Sequence, residues 1–272
     1  HTYTGGVSYH FSPESEIGLK YEGKYSQGNT FSNDTLSMIP DKGVSTFIKN
    51  LSDVSAKSVS NHFNLYYMND WKNGWRMNAY GDYLHKTDRS RGNICEWESD
   101  RTETSMDYYR KADWDLFAAK LNLSYETGKA GTFSFGYDFS HTTGTDYIEY
   151  VRALNNGSTS NTEMKNSLYL SYDYTWNNLS LGAGLRYEHI RSDLRENNSN
   201  KNQNQTYHNF LPSVSLSYNT ENLQQSLTYS VHTERPPFGV MNDNAVYTDR
   251  FTYQKGNLYL KQALTHDLNY ML

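Results

Sequence analysis

KNSLYLSYDYTW at positions 165–176 and LSLGAGLRYEH at 179–189, parted only by Asn177 and Asn178, decide how the rest of the chain is read. In the first stretch Leu168, Leu170, Tyr172, Tyr174 and Trp176 alternate with Lys165, Ser167, Tyr169, Ser171, Asp173 and Thr175. In the second, Leu179, Leu181, Ala183, Leu185 and Tyr187 alternate with Ser180, Gly182, Gly184, Arg186 and Glu188. A period of two places each set on its own face of an extended strand, which helical spacing cannot do. Two such strands joined by Asn-Asn form a hairpin. The same split appears early, where Ile17, Leu19, Tyr21, Gly23 and Tyr25 oppose Glu16, Gly18, Lys20, Glu22, Lys24 and Ser26.

Working outward gives about eleven strands of this kind. They centre on Thr2 to Phe11, Glu16 to Ser26, Ser58 to Met68, Trp75 to His85, Asp113 to Tyr125, Thr132 to His141, Lys165 to Trp176, Leu179 to His189, Phe210 to Tyr218, Leu223 to His232 and Leu264 to Leu272. Short turns are expected at Ser12 to Ser15, Asn69 to Gly74, Glu126 to Gly131, Asn177-Asn178 and Asn219 to Asn222. Long polar loops are expected at Gln27 to Lys57, Lys86 to Ala112, Thr142 to Met164, Ile190 to Asn209 and Thr233 to Ala263. Short and long alternate strictly, so an up-and-down sheet carries all its short turns at one end and all its long connections at the other.

Composition narrows the solvent. The 25 Tyr, 11 Phe and 5 Trp make 15% of the chain, within a hydrophobic share of only 36%, which is thin for a soluble core. Apolar runs never exceed about four residues, far short of the ~20 a membrane-spanning helix needs. The strands instead match the ~9–11 tilted residues of a bilayer-spanning strand. Aromatics crowd the short-turn end: Tyr9, Phe11, Trp71, Trp75, Tyr125, Phe133, Tyr174, Trp176 and Tyr218. Amphipathic rings settle at the membrane-water boundary. Together these features predict an all-β fold, a transmembrane antiparallel up-and-down β-barrel with short periplasmic turns and long external loops. A secreted β-sandwich or solenoid is the competing fold; it would put Lys20, Glu22, Lys24, Arg186 and Glu188 in core or solvent, whereas a wet pore solvates that face at little cost.

Chemistry-bearing patterns are sparse. The net charge of −5 gives no drive toward nucleic acid. Cys95 stands alone, no Cys/His pair has zinc spacing, and neither HExxH nor G-x-S-x-G occurs, so no catalytic residue, metal or cofactor is expected. Glu96, Glu98, Asp100 and Glu103, with Arg89, Arg91 and Arg101 near them, read as a solvated charge cluster. Ligand contacts, if any, fall to the loops and the pore face: Trp97, Tyr147, Tyr150, Tyr207, Tyr247 and Tyr253 for stacking, Arg152 and Arg250 for anionic groups.

The last sixty or so residues carry ordered motifs: LPSVSLSY from Leu211, QSLTYS from Gln225, Arg235-Pro236-Pro237-Phe238, and GNLYLK from Gly256-Asn257. This order resembles the barrel of TonB-dependent outer-membrane receptors, in particular the outer membrane protein β-barrel family. Leu258, Tyr259 and Gln262 depart from that family's usual G-N-P-x-L-K-P-E loop. The resemblance implies a barrel of 22 strands around a plug of the same polypeptide, set in outer-membrane lipid. It also implies a TonB-like inner-membrane protein that acts through the plug on uptake of an unidentified nutrient. Residues 1–272 are then expected to be part of one barrel domain, with the plug and flanking strands outside this segment. The alternative is a non-transport barrel acting as an adhesin or as an assembly scaffold for protein partners.

Overall fold

A computed structural model describes residues 1–39, 46–98, 103–151, 156–197, 201–242, 244–249 and 251–272. Ten strands follow one another: β1 (Thr2–Ser12), β2 (Ser15–Met38), β3 (Thr46–Asp70), β4 (Trp75–Glu98), β5 (Glu103–Glu126), β6 (Thr132–Val151), β7 (Gly157–Trp176), β8 (Leu179–Glu196), β9 (Lys201–Asn219) and β10 (Gln224–Glu234). The chain then leaves the sheet through a short helix α1 (Phe238–Met241) and a hairpin of β11 (Val246–Asp249) and β12 (Thr252–Gln254). It returns as β13 (Ala263–Met271), antiparallel to β10. The eleven large strands form one antiparallel sheet in chain order, and β1 and β13 are its two edges. This is the wall of an up-and-down β-barrel, open between those edges.

The register shows why the sequence alternates. Tyr9, Ile17, Tyr67, Ala79, Leu121, Tyr137, Leu168, Tyr187 and Phe210 are successive cross-strand partners, so they lie in one apolar row across nine strands. Among the described residues no second layer covers it: Leu168 is 58% and Phe210 65% exposed. In water such a face would be a liability; in hydrocarbon it is solvated. Below it, Trp75, Tyr125, Phe133, Tyr172, Ala183, Val214, Tyr229 and Leu268 form a second, aromatic-rich row nearer the short turns. Trp75 stacks on Tyr125 with ring centroids 4.7 Å apart, and Phe133 lies 4.5 Å from Tyr172.

The opposite face at the same height is polar. Arg186 bridges Asp138 at 2.7 Å and Glu188 at 2.8 Å, and Tyr66 donates to Glu16 at 2.6 Å. Several inward glycines face an aromatic partner on the neighbouring strand: Gly18 with Tyr66, Gly136 with Tyr169, and Gly144 with Trp114. Each ring lies flat where a Cβ would stand, which keeps bulky side chains against the wall.

Turns fall where expected, and Asn177 adopts φ 51°, a left-handed conformation that asparagine tolerates. The long connections differ from expectation. Most of what reads as polar loop is strand: the β2–β3 ladder runs unbroken from Ser15↔Asn69 to Met38↔Thr46, and β4 pairs with β5 as far as Trp97↔Glu103. Hydrogen bonding does not need the apolar alternation by which the membrane-spanning parts are recognised, so the strands outrun the signal. The cluster expected in a loop therefore splits: Glu96 is a buried inward residue of β4, Arg89 and Arg91 sit on the other face, and Asp100 and Arg101 lie outside the described residues.

Candidate functional site

Residues 235–262 do not project away from the sheet. They form a strap folded across its inward face. At one end Arg235 pairs with Glu163 of β7, carrying the chain inward past two intervening strands. Pro236 and Pro237 follow, Pro237 extended at φ −62° and capping α1, whose Phe238 sets its ring edge-on to Trp114 of β5 at 4.8 Å.

Asn242 and Asn244 then plug into the sheet. Asp146 of β6 is buried and receives Arg110 of β5 through two guanidinium nitrogens, Nε at 3.1 Å. Asn242 Nδ2 donates to Asp146 Oδ2 at 2.7 Å, and Asn244 Nδ2 donates to the Asp146 carbonyl at 3.1 Å. Thr159 of β7, fully buried, donates from Oγ1 to Asn242 Oδ1 at 3.0 Å and lies 3.2 Å from Asn244 Oδ1. A buried carboxylate is costly unless paired and hydrogen-bonded; here the strap supplies part of that satisfaction. Hydrogen bonding to Asp146 raises the Arg110 pKa above its ordinary value.

Further along, the Tyr150 hydroxyl donates to the Ala245 carbonyl at 2.8 Å and accepts from the Tyr247 amide at 3.1 Å. Tyr247 donates to Glu96 of β4 at 3.1 Å, and Asn50 of β3 donates to the Thr248 carbonyl at 3.2 Å. Met106, Ile148 and Tyr150 are buried together beneath Tyr108, Val246 and Tyr247, forming a small hydrophobic core. Burial pushes the Tyr150 and Tyr108 phenols up. The returning limb is held by Gly256 N to Asn242 O at 3.0 Å and Asn257 N to Val240 O at 2.9 Å. A Cβ on Gly256 would stand 2.3 Å from the Asn242 carbonyl, so only glycine permits this approach. Leu258 is buried beside it in sequence, and Gln205 and Asn209 of β9 hold Leu260 and Gln262.

Between α1 and the sheet lies a recess of about 600 Å³, lined by Ser26, Ser58, Asp88, Arg110, Trp114, Asp146 and Phe238 among others. Its size suits a small-molecule ligand. Ser26, Ser58, Asp88, Ala112 and Asp146 are one inward row.

The sequence candidates distribute unevenly. Tyr150 and Tyr247 come together under the strap, and Tyr207 is inward on β9, donating to Gln205 at 2.5 Å. Trp97 and Tyr147 stand on the outward face, Tyr147 donating to Glu149 at 3.1 Å. Tyr253 is exposed on the hairpin opposite Tyr247. Arg152 and Arg250 lie outside the described residues. Arg235, Gly256 and Asn257 hold the strap through the contacts above, and Pro236 lies in its entry. Sequence reading missed Asp146, Arg110, Thr159, Asn242, Asn244 and Trp114; a signal did exist, in the apolar residues that change face above His141.

The profile of the outer membrane protein beta-barrel family matches residues 71–272. No curated protein matches by sequence. Among solved structures, the haemophore receptor HasR of Serratia marcescens is 11% identical, with 98% of this chain and 48% of that one covered and a TM-score of 0.46. The ferric yersiniabactin uptake receptor FyuA of Yersinia pestis is 10% identical, covering 99% and 48% at a TM-score of 0.43. The siderophore receptor PiuA of Acinetobacter baumannii is 8% identical, covering 85% and 47% at 0.47. The chain thus spans about half the length of these proteins.

Proposed function

The chain belongs to the outer membrane protein beta-barrel family, and from that premise we propose that it forms the wall of an outer-membrane receptor for energised, TonB-dependent uptake of a nutrient. One observation carries this reading: the strap of residues 235–262 folds onto the inward face and leaves a recess of about 600 Å³ open toward the pore, away from lipid. A wall that only held loops for protein partners would have no use for a recess on that side where Asp88 and Arg110 flank Trp114. Trp114 and Asp88, which line that recess, are the proposed ligand contacts; Tyr150 and Tyr247 hold the strap that frames them. The segment contributes contacts and makes or breaks no covalent bond.

Backbone groups along the edges of β1 and β13 need partners within a bilayer, and further strands of the same polypeptide fill that role in this proposal. A plug inside the completed barrel meets the charged wall around Arg186, Asp138 and Glu188 and relays the pull of the inner-membrane partner.

The test is growth of a strain lacking the full-length gene on single limiting sources of iron complexes, cobalamin, peptides and glycans. A defect on one source is expected, with uptake of that source by the parent strain abolished by a protonophore and the defect reproduced by Trp114→Ala at unchanged surface level. Unimpaired growth on every source, with loss of surface attachment or of a co-purifying protein partner, would instead support the adhesin or scaffold reading.

A further inference from the structure

We propose that the free edge of β9 binds an extended peptide, as the substrate of the uptake receptor proposed above; the inference rests on that reading. β9 pairs with β8 along its whole length, from Leu179↔Tyr218 to Glu196↔Lys201, but with β10 only from Gln224↔Asn219 to Ser230↔Ser213. Successive residues of an antiparallel strand bond alternately to its two neighbours. Thr220 N donates to the Leu223 carbonyl and Asn219 N to the Asn178 carbonyl, so even-numbered residues of β9 serve β10 and odd-numbered ones serve β8. After Val214 the next even position is Pro212, which has no N–H to give, and there β10 leaves β9. Above it Asn202, Asn204, Thr206, His208 and Phe210 turn their amides and carbonyls to the vacated side, and among the described residues no backbone hydrogen bond reaches them there.

Sheet edges in water are ordinarily guarded by charges, prolines or bulges. Residues 202–210 hold no Lys, Arg, Asp, Glu or Pro, and their register with β8 never shifts. Asn202, Asn204, Thr206 and His208 are exposed and lie beyond Phe210, the last apolar outward residue of β9, so this stretch stands outside lipid. It offers about 26 Å of straight, unguarded ladder. Its chemical complement is another polypeptide backbone, whose N–H and C=O groups recur at the same spacing.

The slot beside this edge selects the occupant. β10 and β13 end together at Glu234↔Ala263 and floor it. On the pore side it is backed by the strap's returning limb, where Gln205 donates to the Leu260 carbonyl at 3.0 Å and Gln262 donates to Asn209 at 2.7 Å. These bonds use β9 side chains and leave its edge backbone free. A second copy in the same membrane does not fit: its β9 runs the same way, and a twofold axis along the membrane normal sets N–H against N–H. A single extended peptide arriving from outside can run antiparallel to β9 and fill the slot. Because a ladder reads backbone rather than side chains, the edge takes peptides of varied sequence, and the strap limb at its foot leads toward the pore.

The experiment is fluorescence anisotropy of a labelled peptide of alternating threonine and lysine, about nine residues long to span the edge, on the full-length protein in nanodiscs. The same peptide N-methylated at every residue is the second probe. Wild type is expected to bind the first and not the second. Asn204→Pro/Thr206→Pro removes two edge donors without touching the β8 ladder and is expected to weaken binding at least about tenfold. Asn204→Ala/Thr206→Ala, which keeps those donors, is expected to bind within about twofold of wild type. Heat-modifiable migration on gels confirms that each variant is a folded barrel. Equal binding by wild type and the proline variant overturns the proposal, as does equal binding of the N-methylated peptide. Protection of the amides of Asn202, Asn204, Thr206 and His208 from hydrogen exchange without added peptide would assign the edge to another segment of the polypeptide or to a co-purified protein, and likewise overturn it. A growth defect of the deletion strain confined to a non-peptide source would overturn this inference and leave the uptake reading standing, whereas unimpaired growth on every source would overturn the uptake reading itself.

Discussion

The lower and upper halves of this sheet use the same strands to solve opposite problems. Near the short turns, β6 sends Phe133, Phe135, Tyr137 and Phe139 outward and leaves the first three exposed. Further along the same strand, Ile148 and Tyr150 point inward and are buried, while Tyr147 and Val151 point outward. β5 repeats the switch, with Phe117, Leu121 and Leu123 outward below and Met106 and Tyr108 inward above. β8 does so with Leu181 and Leu185 outward below and Ile190 and Leu194 inward above. Apolar residues follow the drier side. Below, that side is lipid; above, it is the strap.

The comparison breaks most sharply at the strap's buried carboxylate. Asp146→Ala strands the Arg110 guanidinium and the Asn242 amide at once, and losing one partner of a buried charged network costs about 3–5 kcal/mol. The expected result is rapid hydrogen exchange and protease nicking within residues 235–262, with the barrel still formed. Slightly smaller is the effect below: Leu168→Arg places a charge in lipid and costs ~2–4 kcal/mol near the midplane, read as a lowered urea midpoint for folding into vesicles. Lys20→Ala, exposed on the inward face, is expected to change that midpoint by less than about 0.5 kcal/mol. Gly157→Ala sharpens the upper half, since its Cβ would stand 2.3 Å from Asn244 Oδ1; overpacking of this kind costs about 1–3 kcal/mol and should loosen the strap alone.

The mildest effect is pH dependence. The Tyr150 and Tyr108 phenols are raised in the folded protein by burial, so with the strap released they would ionise first, at the ordinary phenol value of ~10. Strap docking is therefore complete below that pH and is lost as pH rises through the folded value. Hydrogen exchange of residues 244–249 should accelerate in that window, and Tyr150→Phe should remove part of the dependence.

Strand period, turn positions and the outward row were legible because lipid imposes a single phase on every strand. The long connections were not. Outward positions such as Asn29 and Ser55 pair as faithfully as Leu19 and Leu65 do, yet carry no apolar mark. Arg235, Pro236, Gly256 and Asn257 stood out as motif residues, but their work, turning the chain inward and closing it against Asn242, depends on contacts remote in sequence. Asp146 and Thr159 looked like ordinary loop residues because the partners that bury them lie more than eighty positions away.

The most direct test of the account is a nitroxide scan along β5 in a Cys95→Ser background of the full-length protein in vesicles, comparing collisions with oxygen and with a water-soluble nickel chelate. Oxygen access should peak at positions 117, 119 and 121, with nickel access favoured at 118, 120 and 122. Shielding of 117, 119 and 121 from both reagents would mean that protein covers those rows, and the account would be wrong.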